Sequence, residues 1–170
     1  MIRGMRSYTH IVIHHATGNY ANNLTRGKRQ VRAIQSYHQV HNDWSDIGYH
    51  FLIDARGNIY QGRPYMEPKP LSKAPRLALG AHVCAQNSGK IGICFLGCFH
   101  PPAEKPCNDI LTQASLNTAV KLTAFLCDSY GIKVHSIRGH RGFCKTSCPG
   151  NVLHSKLEYI KQCTRKLLNS

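Results

Sequence analysis

The sequence lacks long apolar runs, internal repeats and linkers, and it has few acidic residues. No stretch approaches the ~20 apolar residues of a membrane-spanning helix, so a membrane span is not expected. A length of 170 residues suits one domain with its own core, and we predict a single domain over residues 1–170. With 22 Lys and Arg against 8 Asp and Glu, the net charge is +14. This balance favours a polyanionic partner, either nucleic acid, an anionic membrane or an anionic cell wall, although a merely solvated basic surface has the same composition.

Cysteine is absent from the first part of the chain. None of the eight cysteines precedes Cys84, which argues against a disulfide framework that spans the whole sequence. Cys94, Cys98 and Cys127 are predicted to be buried free thiols that behave as small hydrophobic residues. The first residues also lack the apolar segment of a secretory signal, so either the protein is made without one or this chain has lost it.

Hydrophobic periodicity predicts strands interleaved with three helices. Strands are expected over residues 8–14, 48–54, 59–61, 90–99 and 132–137, with the nearly all-apolar segment 90–99 at the centre of the sheet. Helices are expected over residues 28–41 and 112–130, and a last helix capped by Asn151 has a buried stripe of Leu153, Leu157, Ile160 and Leu167. The pattern therefore predicts an α/β fold, in which a mixed central sheet is flanked by about three helices.

Three residues have side chains of the kind that zinc prefers. His140 and Cys148 are eight residues apart in one loop, and His14 lies on a distant strand. Three protein ligands leave one position of a tetrahedral ion open, as in catalytic zinc sites. His14 is expected to end its strand, and His15 points to the opposite face, so only one of the pair reaches the metal. Two alternatives stay open: His14 as a hydrogen-bonded structural residue, and Cys144 as the fourth ligand of a structural zinc, although Cys-x2-Cys pairs are absent.

Six short motifs occur in the order seen in one protein family. They are Ile-Val-Ile-His-His (11–15), Trp-Ser-Asp-Ile-Gly-Tyr-His-Phe-Leu-Ile (44–53), Gly-Asn-Ile-Tyr-Gln-Gly-Arg (57–63), Gly-Ala-His (80–82), Asn87 with Ile-Gly-Ile (91–93), and Gly-His-Arg (139–141) with Cys-Pro-Gly (148–150). In these motifs the sequence resembles the peptidoglycan recognition proteins and the zinc N-acetylmuramoyl-L-alanine amidases of the type 2 class, which include bacteriophage lysozyme-amidases. The resemblance covers about residues 8–167, and six motifs in register are far more specific than any one of them.

The resemblance implies an amidase fold like that of the recognition proteins, with one zinc ion per chain bound by His14, His140 and Cys148. It also implies hydrolysis of the amide that joins the lactyl group of N-acetylmuramic acid to L-alanine in peptidoglycan. Members that only sense peptidoglycan usually lack the cysteine ligand, so the presence of Cys148 favours catalysis. Tyr49 matches the active-site tyrosine of the family. Thr146 stands where some amidases place Lys and many recognition-protein amidases place Thr.

Four further residues are expected to contact the substrate. His38, His82 and Asn87 match positions that line the substrate groove in the family, and each can equally be a surface or capping residue. Arg63 can meet a carboxylate of the peptide stem through a bidentate contact. Cytoplasmic recycling amidases carry Glu in the central strand where this chain has Cys94. The group that passes a proton to the leaving amine is therefore not identified.

Two other functions compete with the amidase hypothesis. The first is a recognition protein that binds peptidoglycan without cleaving it, with which Thr146 and the missing Glu are compatible. The second is a basic nucleic-acid-binding domain, but no interleaved aromatic and basic platform supports it. On the amidase hypothesis the partner is bacterial peptidoglycan or muropeptides, and no nucleic acid is bound. The protein is then expected to be a monomer that acts on the cell wall after it is secreted, delivered to the periplasm or released.

Overall fold

A five-stranded mixed sheet is the centre of the computed structural model, which describes residues 3–18, 20–66, 74–100, 107 and 109–170. The strands are β1 (His10–Ala16), β2 (Phe51–Ile53), β3 (Ile59–Gln61), β4 (Lys90–Leu96) and β5 (Ile137–Gly139). They lie in the order β3-β2-β4-β1-β5, with β3 antiparallel to β2 and the other neighbours parallel. The helices are α1 (Leu24–His41), α2 (Gln113–Tyr130), the short α3 (Asn151–His154) and α4 (Leu157–Leu168). The predicted mixed sheet flanked by helices is confirmed.

The sheet separates two hydrophobic clusters. In one cluster Ile13 of β1 and Ile93 of β4 pack with Leu126 of α2, and α4 lies against α2 and β5. In the other, Ile34 of α1 packs with Cys94 of β4. Because successive residues of a strand point to opposite faces, adjacent side chains of β1 and β4 serve different clusters. Within the described ranges, no helix combines the length and apolar character that a bilayer crossing requires.

The central strand β4 fixes where β1 ends. β4 lies between β2 and β1 as predicted, and it pairs with β1 along all seven residues of that strand, up to Ala16. His14 therefore lies inside β1, opposite Cys94, and the prediction that it ends the strand was wrong. On the other side β1 pairs with β5 as far as Ile13 opposite Gly139. His14 follows Ile13 and His140 follows Gly139, so the register of the sheet brings the two histidines side by side.

Helix α1 begins earlier than predicted because of a capping residue. Asn23 lies just before Leu24, and its side-chain oxygen accepts a hydrogen bond of 2.9 Å from the backbone N–H of Arg26. Such a cap satisfies one of the free N–H groups at a helix start. Gly27 follows in the first turn, where a Cβ would collide with the ring of Tyr60. The absence of a side chain there lets α1 lie close against β3.

Two predictions for the C-terminal part differ from the structure. The strand predicted over residues 132–137 does not extend over that range. Val134–Ser136 is a 3-10 turn, and strand pairing begins only with β5. The last helix is divided into α3 and α4, and Leu167 is 46% exposed instead of buried. Thr164 is buried instead, with its hydroxyl oxygen 2.6 Å from that of Thr123 in α2.

The predicted free thiols are confirmed at two of three positions. Cys94 and Cys127 are buried and unbonded. Cys98 forms a disulfide with Cys107, which corrects the prediction. Since β4 ends at Leu96, Cys98 lies beyond the strand that the apolar run had suggested, although it is buried as predicted.

Replacing Leu126 should test the packing of α2 on the sheet. The Leu126→Ala variant should lower the free energy of unfolding by about 2–5 kcal/mol, because Leu126 is fully buried and leaves a cavity. Leu167→Ala removes the same atoms from an exposed site and should change it by no more than about 0.5 kcal/mol. Urea denaturation measures both values. Equal losses in the two variants would contradict the outward position of Leu167.

Candidate metal centre

His14, His140 and Cys148 converge beside the sheet, and together they are called the metal cluster below. Their ligand atoms all lie within 4.8 Å of one another, and the three could hold a metal ion. Nδ1 of His14 is 3.7 Å from Sγ of Cys148, and the rings of His14 and His140 have centroids 4.4 Å apart. The register of β1 with β5 places the two histidines, and the loop before α3 brings Cys148 to them.

A chain of hydrogen bonds fixes which nitrogen of His14 faces Cys148. Nε2 of His82 lies 3.1 Å from the backbone oxygen of Lys90, which can only accept, so this nitrogen carries the hydrogen. Nδ1 of His82 is then an acceptor, and it receives the hydrogen of His14 Nε2 at 3.0 Å. The remaining nitrogen of His14, Nδ1, therefore carries no hydrogen and accepts from the thiol of Cys148 at 3.7 Å. Orientation of a ligand histidine through its other nitrogen is common in metal sites.

Burial keeps the imidazoles of this region neutral. It lowers the pKa of His14 and of His82 well below the usual 6.5, and neighbouring histidines lower both further. Burial also lowers the pKa of His140. A neutral imidazole can offer a lone pair to a cation, whereas a protonated one cannot.

Cys148 is a thiol whose ionisation depends on what enters the site. Burial raises its pKa to about 11, while the backbone N–H of His15 that hydrogen-bonds the sulfur and the charge of Arg141 act in the opposite direction. Without a cation the sulfur is therefore protonated at neutral pH. Binding of a metal ion would displace that proton.

A disulfide joins the two loops that carry the histidine residues around the cluster. Cys84, which follows His82 closely, is bonded to Cys144, which follows His140. Nε2 of His140 lies 3.1 Å from Sγ of Cys144. Because the sulfur of Cys144 is already bonded to Cys84, it is not a thiolate, and the alternative of Cys144 as a fourth ligand is corrected.

Tyr49 divides the cleft beside the metal cluster into two cavities. One, of 490 Å³, has Tyr37 and His38 of α1 along its wall, and the other, of 360 Å³, has Trp44, Asn87 and His140. The ring of Tyr49 has its centroid 5.1 Å from that of His14. The two cavities and the Tyr49 ring between them are called the cleft below.

The phenol of Tyr49 stays protonated. Burial raises its pKa well above 10, and Cys94 and Cys148 raise it further. The hydroxyl is therefore a hydrogen-bond donor at neutral pH, next to the metal cluster.

Two of the predicted groove residues line the cleft and also support its loops. Nδ1 of His38 accepts from the backbone N–H of Gly48 at 3.0 Å, and its ring packs on Trp44 with centroids 4.7 Å apart. The side-chain oxygen of Asn87 accepts from the N–H groups of His82 at 2.7 Å and Val83 at 2.8 Å. That leaves the amide nitrogen of Asn87 and Nε2 of His38 for a ligand.

The other two predicted groove residues have different roles in the structure. His82 lines the cleft, and both of its ring nitrogens are engaged, one with His14 and the other with Lys90; its contact with substrate stays a prediction. Arg63 is only 4% exposed. Its guanidinium donates to the backbone oxygen of Ile47 at 2.6 Å and to Ser45 Oγ at 2.9 Å, so it holds the loop before Tyr49, and its contact with a stem carboxylate stays a prediction.

Arg141 is a residue of the site whose role the sequence motifs did not reveal. Its guanidinium donates to the side-chain oxygen of Asn151 at 2.8 Å and to the backbone oxygen of Ser147, and its backbone N–H donates to the Cys148 oxygen at 3.0 Å. Thr146 completes this loop, because its hydroxyl oxygen accepts from the Cys148 N–H at 3.2 Å. Its place after His140 in the Gly-His-Arg motif (139–141) was the sequence signal for its position.

A family model and several known proteins match this chain over most of its length. The family model of the N-acetylmuramoyl-L-alanine amidases matches residues 4–151. Peptidoglycan-recognition protein SC2 of Drosophila melanogaster is 33% identical over 153 residues, covering 88% of this chain and 72% of the relative. Peptidoglycan recognition protein 1 of Bos taurus is 29% identical, covering 88% and 70%.

Solved structures resemble the fold over nearly its full length. Drosophila peptidoglycan recognition protein SD superimposes with a TM-score of 0.76 at 25% identity, covering 93% of this chain and 84% of that one. Peptidoglycan recognition protein LE, solved in complex with tracheal cytotoxin, superimposes with a TM-score of 0.76 at 25% identity, covering 94% and 84%. The five-stranded sheet with its helices is thus the fold of these proteins.

The tautomers of His14 and His82 can be read directly by NMR. In the metal-free protein, long-range ¹H–¹⁵N spectra should show both rings neutral with the hydrogen on Nε2. Because burial lowers both pKa values, neither ring should protonate as the pH falls through 6.5. A hydrogen on Nδ1 of His14 would contradict the proposed direction of the hydrogen bonds from His14 through His82 to Lys90.

The buried histidines should make the metal-free protein sensitive to acid. Burial lowers the pKa of His15 and of His50 to about 4, whereas an unfolded histidine protonates near 6.5. As the pH falls from 6.5 to 4 the unfolded state takes up these protons first, so the free energy of unfolding should fall. Each such histidine should lower the free energy of unfolding by up to about 1.4 kcal/mol per pH unit in this range. Urea denaturation at several pH values measures the slope, and a stability independent of pH over this window would refute it.

Proposed function

Since the chain belongs to the N-acetylmuramoyl-L-alanine amidase family, we propose that it is a zinc-dependent enzyme that cleaves peptidoglycan. The bond hydrolysed is the amide between the lactyl group of N-acetylmuramic acid and L-alanine. The observation that carries the proposal is the metal cluster, in which two neutral imidazoles and a thiol converge beside a cleft. A protein that only bound peptidoglycan would have no need of this convergence.

The donor set of the metal cluster suits zinc. His14, His140 and Cys148 would supply two nitrogens and one sulfur, and three protein ligands leave the fourth position of a tetrahedral ion for a reactant. Bound there, zinc would polarise the amide carbonyl and lower the pKa of a water molecule toward ~7. The protein holds the ligands in place through His82 and the Cys84–Cys144 disulfide.

Tyr49 is assigned to stabilise the oxyanion of the reacting amide. Its protonated phenol lies between the two cavities, beside His14. A donor that meets charge only as it develops on the substrate oxygen lowers the barrier more than it strengthens substrate binding. By comparison with other donors of this kind, the contribution is about 3–4 kcal/mol.

Thr146 is assigned a supporting role in the same reaction. Its oxygen accepts from the Cys148 N–H, which orients the loop, and its own hydrogen remains available to donate into the site. Cys94, which stands where recycling amidases carry Glu, does not serve as a base, because burial raises its pKa well above 9. The thiol is neutral at neutral pH.

Peptidoglycan is the proposed partner, bound along the cleft by His38 and Asn87. The structure of protein LE is described as a complex with tracheal cytotoxin, a monomeric diaminopimelic acid-type peptidoglycan, which supports a ligand of this class. The net charge of +14 favours approach to walls that carry anionic polymers. We propose that the protein acts as a monomer on the cell wall, after it is secreted, delivered to the periplasm or released.

A second candidate is a recognition protein that binds peptidoglycan and leaves it intact. It is favoured by the names of the relatives, which are recognition proteins. Thr146, which brings no positive charge, and the neutral thiol of Cys94 are also compatible with it. Loss of the metal cluster would leave such a protein able to bind its ligand, whereas an amidase would lose turnover.

Replacing Cys148 tests the proposed function. Cys148→Ser should lower zinc affinity and abolish the release of L-alanyl stem peptides from purified peptidoglycan, because the sulfur ligand is lost. The matched control is Cys163→Ser, which replaces another free cysteine, on α4, away from the cluster. Metal analysis and chromatography of released peptides measure the two effects, and circular dichroism checks the helix content. Full amidase activity in Cys148→Ser would refute the assignment, as would zinc-loaded wild type that releases no peptides.

Replacing Tyr49 separates oxyanion stabilisation from metal binding. Tyr49→Phe should lower kcat/KM by about 10²–10³-fold with an unchanged zinc content, because only the donor is removed. Tyr159→Phe removes a hydroxyl from α4 and should leave kcat/KM unchanged. Kinetics on a soluble muropeptide measure both. A Tyr49→Phe variant as active as wild type would show that the phenol donates nothing to the transition state.

A further inference from the structure

A third cavity lies against the N-terminal segment, apart from the cleft. It has a volume of 500 Å³, and none of its lining residues lines either cavity beside Tyr49. The N–H of Met5 donates to the Leu77 oxygen at 2.8 Å, and that of Leu79 to the Arg3 oxygen at 2.5 Å. These bonds fix the backbone of the segment on residues 77–79, so the cavity has a defined wall.

Three arginines and no acidic residue are among the described residues that line this cavity. Arg3, Arg6 and Arg76 contribute their side chains to it, together with the hydroxyl-bearing Ser7 and Ser88. In the part of the chain that the structure describes, no salt bridge involves any of these three guanidinium groups. Within the described ranges, three positive charges therefore lie at one cavity without an acidic partner.

Gly4 allows one of the arginines to reach across the segment. A Cβ at this position would lie 2.9 Å from Nε of Arg76 and 3.0 Å from the Met66 side chain. With no side chain on Gly4, Arg76 packs directly over the backbone that also carries Arg3 and Arg6. The sequence thus permits three cationic side chains from two segments to share one wall.

We propose that this cavity binds a phosphate group, either free or as the phosphodiester of a polymer. A guanidinium presents its N–H groups in a planar fork that matches oxyanions in a bidentate way. Three such forks supply more donors than one planar carboxylate can accept, whereas the tetrahedral oxygens of a phosphate can accept from several directions. The volume lies within the ~300–1,000 Å³ range of small-ligand sites. The proposal is independent of the amidase activity, because it uses no residue of the cleft.

The test is calorimetric titration of the full chain with pyrophosphate and, separately, with a short glycerol-phosphate oligomer. Binding should weaken at least about tenfold when Arg3→Gln, Arg6→Gln and Arg76→Gln are combined, because the guanidinium contacts are lost. The control combines Lys121→Gln, Arg165→Gln and Lys166→Gln, which removes the same charge from α2 and α4, and should weaken binding by less than about threefold. Binding of both probes assigns the site to the phosphate group as such, and binding of the oligomer alone assigns it to the polymer.

A second variant guards against misfolding of the triple variant. Ser88 is exposed at the edge of the cavity, so Ser88→Glu adds a carboxylate without removing a packing contact. It should weaken binding of either probe, whereas Gln162→Glu, on the exposed surface of α4, should not. Equal weakening by the cavity variants and their controls would reduce the effect to overall charge and overturn the proposal. It would also be overturned if neither probe bound, or if citrate, a carboxylate trianion, bound as tightly as pyrophosphate.

Discussion

The hydrogen bond from Nε2 of His14 to Nδ1 of His82 is the interaction on which the candidate site depends most. The hydrogen bonds begin at a backbone oxygen of β4 and pass through His82, and they leave Nδ1 of His14 without a hydrogen on the side of Cys148. Because the chain starts at a carbonyl that can only accept, the direction of every hydrogen in it is determined. The bonding nitrogen is therefore selected by the sheet itself, before any ion is present.

The sheet, the Cys84–Cys144 disulfide and the hydrogen bonds of Arg141 hold the other residues of the cluster in place. β1 pairs with both β4 and β5, so His14 is carried by a central strand and His140 follows its neighbour in register. The Cys84–Cys144 disulfide joins the His82 loop to the His140 loop, and Arg141 holds the segment that carries Cys148. A site placed on rigid elements needs little rearrangement to bind an ion, whereas a site on free loops would first have to be ordered.

The parts of this structure that the sequence predicted are those set by local periodicity and by motif order. The apolar run 90–99 indicated the central strand, and the residue types of His14, His140 and Cys148 indicated the cluster. The hydrogen-bond partners of His82 and Arg63 within the protein were not predicted, because a motif reveals that a polar side chain belongs to the site without revealing which atom is its partner. The Cys98–Cys107 and Cys84–Cys144 bonds also escaped prediction, since pairing depends on chain turns that periodicity does not report.

The proposed zinc site is tested most directly by X-ray absorption at the zinc edge of the loaded protein. The account predicts one sulfur ligand at about 2.3 Å and two imidazole nitrogens at about 2.0–2.1 Å, with a light atom in the fourth position. Cys148→Ser should remove the sulfur contribution while leaving the imidazoles. Two sulfur ligands, or an unchanged sulfur signal in that variant, would contradict a centre formed by His14, His140 and Cys148.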